Sequence, residues 1–214
     1  MEALSKPVVV ALDAGRAIEP RACARTLERL AAGLDERVPG AAAHARRVSH
    51  YAAEIARQLD LPHEQVARVR QAAAVHDIGK LEMPAAIVNK PGPLSEKEFA
   101  TVQRHAAIGA RMVAGLGDEQ LAAIVRHHHE RLDGSGYPDG LSGEEIPLGA
   151  RIVAVADIFD ALTSTRPYRP ASRAREALAL LEAEAGSRLD PEVVEAFRAY
   201  YHGPRAALDR LLAR

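Results

Sequence analysis

From Gly40 onward the apolar positions recur at helical spacing. Val48, Ala52, Ile55 and Leu59 share one face of a predicted helix, and Pro62 opens the next at a place where its missing N–H costs nothing. In that second helix Val66, Val69 and Ala73 form a stripe whose next member is His76, so the pattern carries a polar residue into the core. The same intrusion recurs. Ser95 and Glu98 make a Ser-x-x-Glu capping box for a helix with the stripe Phe99, Val102, Ala106, Gly109 and Val113, and His105 lies on that face. Leu121, Ile124 and Val125 lead in the same way to His128, and Val153 leads to Asp157 and Asp160. Gly186 reads as a helix end, and Asp190-Pro191 starts a final helix containing Val193, Val194, Phe197 and Tyr201. The expected fold class is all-α.

Two stretches break the helical period. Between Arg131 and Gly149 the run Asp133-Gly134-Ser135-Gly136-Tyr137-Pro138-Asp139-Gly140 is dense in turn formers and reads as a long loop. Loops of such length in compact domains are commonly functional, and this one is flanked by helices that carry inward polar residues. Residues 1–38 read as an N-terminal extension of unassigned role, with a β-branched run over Val8–Val10 and a helical stretch from about Pro20 to Leu34. Residues 39–214 read as one domain.

Composition narrows the function classes. Aromatics are 4% of the 214 residues and Trp is absent, so the interior is built from Ala, Leu, Val and Ile, which suits close-packed helices. Lys plus Arg number 28 against 29 for Asp plus Glu, which argues against binding to long nucleic acid. The single cysteine, Cys23, excludes an internal disulfide and a thiolate zinc site. The apolar stretch Pro7 to Leu12 is too short to span a bilayer, so the expectation is a cytoplasmic protein without a membrane partner.

A lone histidine on an apolar helix face is more often a satisfied core residue than a ligand. Here His44, His76, Asp77, His105, His128, His129 and Asp157 are spread over several helices, and burying them without a counter-charge would be strongly destabilising. A metal cluster supplies that charge. Imidazole and carboxylate ligands without thiolate suit iron, manganese, zinc or nickel, and the set is too large for one tetrahedral ion. Two divalent ions sharing a carboxylate, with Asp77 as the candidate bridge, would activate a water and neutralise charge on a phosphoryl group.

His76-Asp77-Ile78-Gly79-Lys80, then His128-His129-Glu130-Arg131, then Asp133-Gly134-Ser135-Gly136-Tyr137-Pro138 resemble the HD-GYP family of the HD phosphohydrolase superfamily. The resemblance extends through His44-Ala45-Arg46-Arg47-Val48, Lys90-Pro91-Gly92, His105 to Gly109, Leu141 to Pro147, Ala150 to Thr163 and Arg166-Pro167-Tyr168-Arg169. It implies an HD-domain helical bundle with a metal cluster in its core and the Gly-Tyr-Pro loop beside it. The implied activity is hydrolysis of cyclic di-GMP to linear pGpG, and in many members onward to GMP.

By position, the resemblance implies one ion on His44, His76, Asp77 and Asp157 and a second on Asp77, His105, His128 and His129. Members with a third metal are expected to carry a glutamate four residues before the first histidine; Gly40 stands there, which implies a two-metal site. Asp77 and Lys80 are the catalytic candidates, Lys80 being one turn beyond His76 and able to contact the scissile phosphate or the leaving oxygen. Lys80, Arg166, Arg169 and Tyr137 are the candidate substrate contacts, with Pro167 turning both guanidiniums toward the site and Tyr137 stacking or donating rather than reacting. His127 receives no role from the resemblance and is expected to be a surface helix residue. The rival readings are another cyclic dinucleotide or nucleotide as substrate, and a catalytically silent module binding a partner such as a diguanylate cyclase. The extension could pair with a second copy as a homodimer, and it is expected to be too short for a receiver domain.

Overall fold

A computed structural model describes Thr26, Arg29, residues 32–165 and residues 170–212. The expectations placed on Val8–Val10, Cys23, Arg166, Pro167 and Arg169 lie outside the described residues. Residues 32–37 are helical, and after them come α1 (Ala41–Gln58), α2 (His63–Val75), α3 (Ala85–Val88), α4 (Glu96–Ala114), α5 (Glu119–His127), α6 (Leu148–Thr163), α7 (Ala174–Glu184), α8 (Pro191–His202) and α9 (Pro204–Leu212). Short 3₁₀ turns occupy Ile78–Glu82 and Gly143–Glu145. Among the described residues there is no β-strand, only an isolated bridge between Ala185 and Leu189, and the all-α expectation holds.

The centre of the bundle is α6. Its run Ile152-Val153-Ala154-Val155-Ala156 is apolar all round, which is the pattern of a helix buried on every side rather than on one stripe. It packs against α1, α2, α5, α7 and α8. α1 also packs against α2, and each carries small buried side chains, Ala52 and Ala56 on one and Ala72 and Ala73 on the other. Phe159 and Phe197 close the other end with ring centroids 4.7 Å apart. Among the described residues, no helix is long and apolar enough to cross a membrane.

Most of the predicted stripes are buried: Val48, Ala52 and Ile55 on α1, Val66, Val69 and Ala73 on α2, and Leu121, Ile124 and Val125 on α5. The capping box at the start of α4 is present, with Ser95 accepting from the Glu98 N–H and Glu98 accepting from the Ser95 N–H. Gly186 does follow a helix end, at φ 78°. Phe99 departs from its predicted stripe: it lies in the first turn of α4 and is 48% exposed. The loop after Arg131 ends before Gly149, since α6 starts at Leu148, and a further helix, α9, follows the one expected to be last.

The segment that matters most for the site is the 3₁₀ turn after α2. It lies against α4 so closely that a Cβ on Gly79 would fall 2.0 Å from the His105 carbonyl oxygen and 2.7 Å from the Gly109 nitrogen. Only hydrogen fits there. This contact sets the distance between the end of α2, which carries His76 and Asp77, and the middle of α4, which carries His105.

Candidate metal centre

Three histidines are held by one local device. His76 Nδ1 lies 2.7 Å from the Ala73 carbonyl, His105 Nδ1 2.6 Å from the Val102 carbonyl and His128 Nδ1 2.7 Å from the Val125 carbonyl. A carbonyl can only accept, so in each ring Nδ1 carries the proton and Nε2 presents its lone pair to the interior. His44 is oriented by a carboxylate instead: its Nδ1 donates to Asp160 Oδ2 at 2.7 Å. Asp160 is buried and is also gripped by Arg47, whose Nε and Nη2 donate to its two oxygens at 2.5 and 3.0 Å. A ligand-like imidazole oriented by a buried carboxylate is the usual outer layer of a metal site.

The Nε2 atoms converge on Asp77. Its Oδ1 lies 3.3 Å from His105 Nε2, while its Oδ2 lies 3.6 Å from His76 Nε2 and 3.9 Å from His44 Nε2. One carboxylate thus faces two groups. Asp77, His105, His128 and His129 form the first, and His44, His76 and Asp77 the second; within each, one potential ligand atom per residue lies within 4.8 Å of the others. Asp157 borders the second group, its Oδ1 being 3.2 Å from His44 Nε2 and 3.9 Å from His76 Nε2. His129 completes the first at the end of the stack, its ring 4.0 Å from that of His128 and 4.8 Å from that of Tyr137.

The electrostatics ask for a cation. Burial pushes His105 down to about 4 and His129 down to about 3, and holds His128 well below its usual value, outweighing the nearby Asp77 and Asp157 carboxylates that act the other way. His105 and His128 are therefore neutral near pH 7, yet their Nε2 atoms are 3.4 Å apart with both protons committed elsewhere. Two facing lone pairs in a buried cavity repel, and a bound divalent ion held by these residues would offset that repulsion. Burial opposes ionisation of Asp77, but Lys80 and the surrounding histidines outweigh it and hold the carboxyl well below its ordinary range. Burial also lowers the affinity of His44 for its proton, while Asp157 and Asp160 more than compensate, raising it to about 9. Nitrogen and oxygen donors without thiolate fit a divalent transition ion.

Lys80 sits in the 3₁₀ turn with Nζ 2.6 Å from Asp77 Oδ2, at the rim of the cluster. Tyr137 reaches the site from the loop, and Phe99 lies 6.2 Å beyond it, ring to ring. The loop is drawn back onto the end of α5: Glu130 Oε1 accepts from the Asp139 and Gly140 N–H groups, and Tyr137 N–H donates to the His129 carbonyl. Gly136 passes so close to Glu130 that a Cβ would fall 2.4 Å from its Cα. Gly40 is the N-cap of α1 and offers no side chain beside His44.

The residues gathered here are all those expected as ligands. Sequence reasoning gave no role to Arg47 and Asp160, although a signal existed: His44 and Arg47 are three apart on α1, and Asp157 and Asp160 three apart on α6, so the two pairs can face each other. His127 corrects an expectation. It is no surface residue, its side chain being 14% exposed, because the loop folds back over the end of α5.

An all-helical bundle with histidines and aspartates gathered at its centre is the architecture of the HD domain, and a family profile of that description matches residues 28–193. Over 174 residues the chain is 48% identical to the "Cyclic di-GMP phosphodiesterase response regulator RpfG" of Xanthomonas campestris pv. campestris, covering 80% of this chain and 46% of that protein. It is 44% identical over 166 residues to the "3'3'-cGAMP-specific phosphodiesterase 3" of Vibrio cholerae, covering 77% and 36%. The chain thus spans less than half the length of these relatives. Among solved structures, the cyclic GMP-AMP phosphodiesterase V-cGAP3 of V. cholerae has the same fold, with a TM-score of 0.64 over 86% of this chain and 49% of that one at 22% identity. The chain belongs to the HD domain family, in its HD-GYP branch.

Proposed function

We propose that the chain is a metal-dependent phosphodiesterase that opens a cyclic dinucleotide, with cyclic di-GMP as substrate and pGpG as product. The observation that carries this is the placement of Asp77, whose two oxygens face separate clusters of Nε2 atoms. His44, His76, Asp77 and Asp157 would hold one divalent ion, and Asp77, His105, His128 and His129 the other. When bound, such a pair supplies an activated water and positive charge for the phosphoryl group. Iron or manganese is the proposed occupant; zinc and nickel also accept these donors.

The protein's own groups divide the remaining work. Asp160 and Arg47 hold the His44 ring in its orientation, and the three backbone carbonyls hold the other rings. Lys80 Nζ lies beside Asp77 Oδ2, where it would stabilise the leaving oxygen. Tyr137 and Phe99 form an aromatic edge beside the cluster against which a purine could stack. Arg166 and Arg169 remain the proposed phosphate and guanine contacts by resemblance. One relative is named for cyclic di-GMP and another for 3'3'-cGAMP, so the second dinucleotide is the alternative substrate to test.

The test is turnover of cyclic di-GMP and 3'3'-cGAMP by anaerobically purified protein supplied with iron or manganese, with pGpG and GMP separated chromatographically. Accumulation of pGpG is expected, and Asp77→Ala should lose metal and turnover together while remaining helical by circular dichroism. No turnover of either dinucleotide with metal bound would overturn the activity. It would favour a silent module that engages a partner, such as a diguanylate cyclase or a second copy of this chain.

A further inference from the structure

Beyond the central cluster, His127, Glu130 and Asp139 form a separate group whose potential ligand atoms lie within 4.8 Å of one another. None of them belongs to the proposed binuclear site. His127 is the last residue of α5, Glu130 begins the following loop, and Asp139 is the residue after Pro138. They therefore join the helix end to the far side of the Gly-Tyr-Pro turn.

Two buried atoms here have nothing to bind. The Glu130 side chain is fully buried; its Oε1 accepts from the Asp139 N–H at 2.8 Å and the Gly140 N–H at 3.2 Å, while its Oε2 has no hydrogen-bond partner. His127 Nδ1 is likewise buried and unpartnered. It faces Glu130 Oε1, the oxygen that already accepts those two N–H groups, at 3.8 Å and Asp139 Oδ2 at 3.5 Å, separations longer than an ordinary hydrogen bond that leave room for an atom between. A buried carboxylate oxygen left bare is costly, and native proteins fill such a place with an ion or an ordered water. Asp139 is held by Arg126, whose Nε and Nη2 donate to its two oxygens at 2.7 Å each, but a carboxylate oxygen carries more lone pairs than one such donor uses. The Asp139 side chain is 33% exposed, which gives an ion a route in from solvent.

We propose that His127, Glu130 and Asp139 bind a divalent transition ion, a third metal position separate from the binuclear cluster, that ties the Gly-Tyr-Pro loop to the end of α5. One imidazole and two carboxylates are a donor set that Zn2+ accepts, with the fourth position left to water. The ion would act structurally: it clamps the loop that carries Tyr137, and it touches no reacting group.

The experiment counts Zn2+. Wild-type protein, His127→Gln and Asp139→Asn are stripped with chelator, equilibrated with Zn2+, and their bound metal is measured by mass spectrometry. Each variant should hold one equivalent less than wild type, and the rise in thermal midpoint on adding Zn2+ should be smaller in both. Asp139 is remote in sequence from His128, so its variant separates this site from damage to the neighbouring cluster. Midpoints in chelator report whether each variant folds; if one does not, the other decides. Equal Zn2+ counts in wild type and the folded variants would overturn the proposal and leave water as the partner of Glu130.

Discussion

Gly79→Ala tests whether the contact between the 3₁₀ turn and α4 sets the geometry of the cluster. The added Cβ would lie 2.0 Å from the His105 carbonyl oxygen, 2.8 Å from its carbon and 2.7 Å from the Gly109 nitrogen. All three are backbone atoms of α4, so no side-chain rotation relieves the clash. Moving the oxygen out to even 3.0 Å requires the two segments to part by about 1 Å. The displaced residue is His105 itself, whose Nε2 is now 3.3 Å from Asp77 Oδ1, and Asp77 is two residues from the substitution. Overpacking of this kind costs about 3 kcal/mol, which in a domain of this size lowers the thermal midpoint by roughly 6–12 °C. A 1 Å error in placing the metal-facing groups should reduce turnover by about 10²-fold. The assay is thermal denaturation by circular dichroism, in chelator and with metal, together with metal content and turnover. Gly33→Ala is the control, since its Cβ would meet nothing within 4 Å. A Gly79→Ala midpoint and metal content indistinguishable from those of wild type would refute the reasoning.

Four further outcomes are expected. Asp160→Asn keeps the shape but removes the charge that holds Arg47 and the His44 Nδ1–H; metal affinity should fall by about 10–100-fold, measured by competition with a chelator. Ser95→Ala removes the α4 cap and should cost about 1 kcal/mol in chemical denaturation. Its box partner Glu98 is held down to about 2 from the usual 4.5 by Lys90 and by Ser95. Because the folded value is the lower one, its contribution is full above pH 4.5 and lost as pH falls through 2; Glu98→Gln should flatten that acid limb. Phe197→Ala empties the fully buried contact with Phe159 and should cost about 3–5 kcal/mol with little change in metal content once the protein is folded.

Helical spacing alone placed His76, His105 and His128 on buried faces, because each continues an apolar stripe at intervals of three or four residues and a stripe of that period has only one place to go. The dipeptide His76-Asp77 and the turn-rich run before Pro138 were equally visible, since ligand chemistry and turn chemistry are properties of residue type. His127 shows where that reasoning stops. The resemblance leaves it without a role and the expectation is a surface residue, but the return of the loop, held by Glu130 and permitted by the lack of a side chain at Gly136, covers it. Phe99 fails in the opposite sense: its spacing is that of a core residue, but in the first turn of α4 it stays 48% exposed, beside Tyr137. The service of Asp160 and Arg47 to His44 depends on α1 lying against α6, a pairing between residues more than a hundred positions apart. Residue types and periodicity, which are local, determined the helices, the buried faces and the class of ligand. Which oxygen of Asp77 faces which imidazole, and which polar atoms are left without partners, were decided by the packing of helices distant in sequence, because distances of 3–4 Å between them depend on every contact in the core.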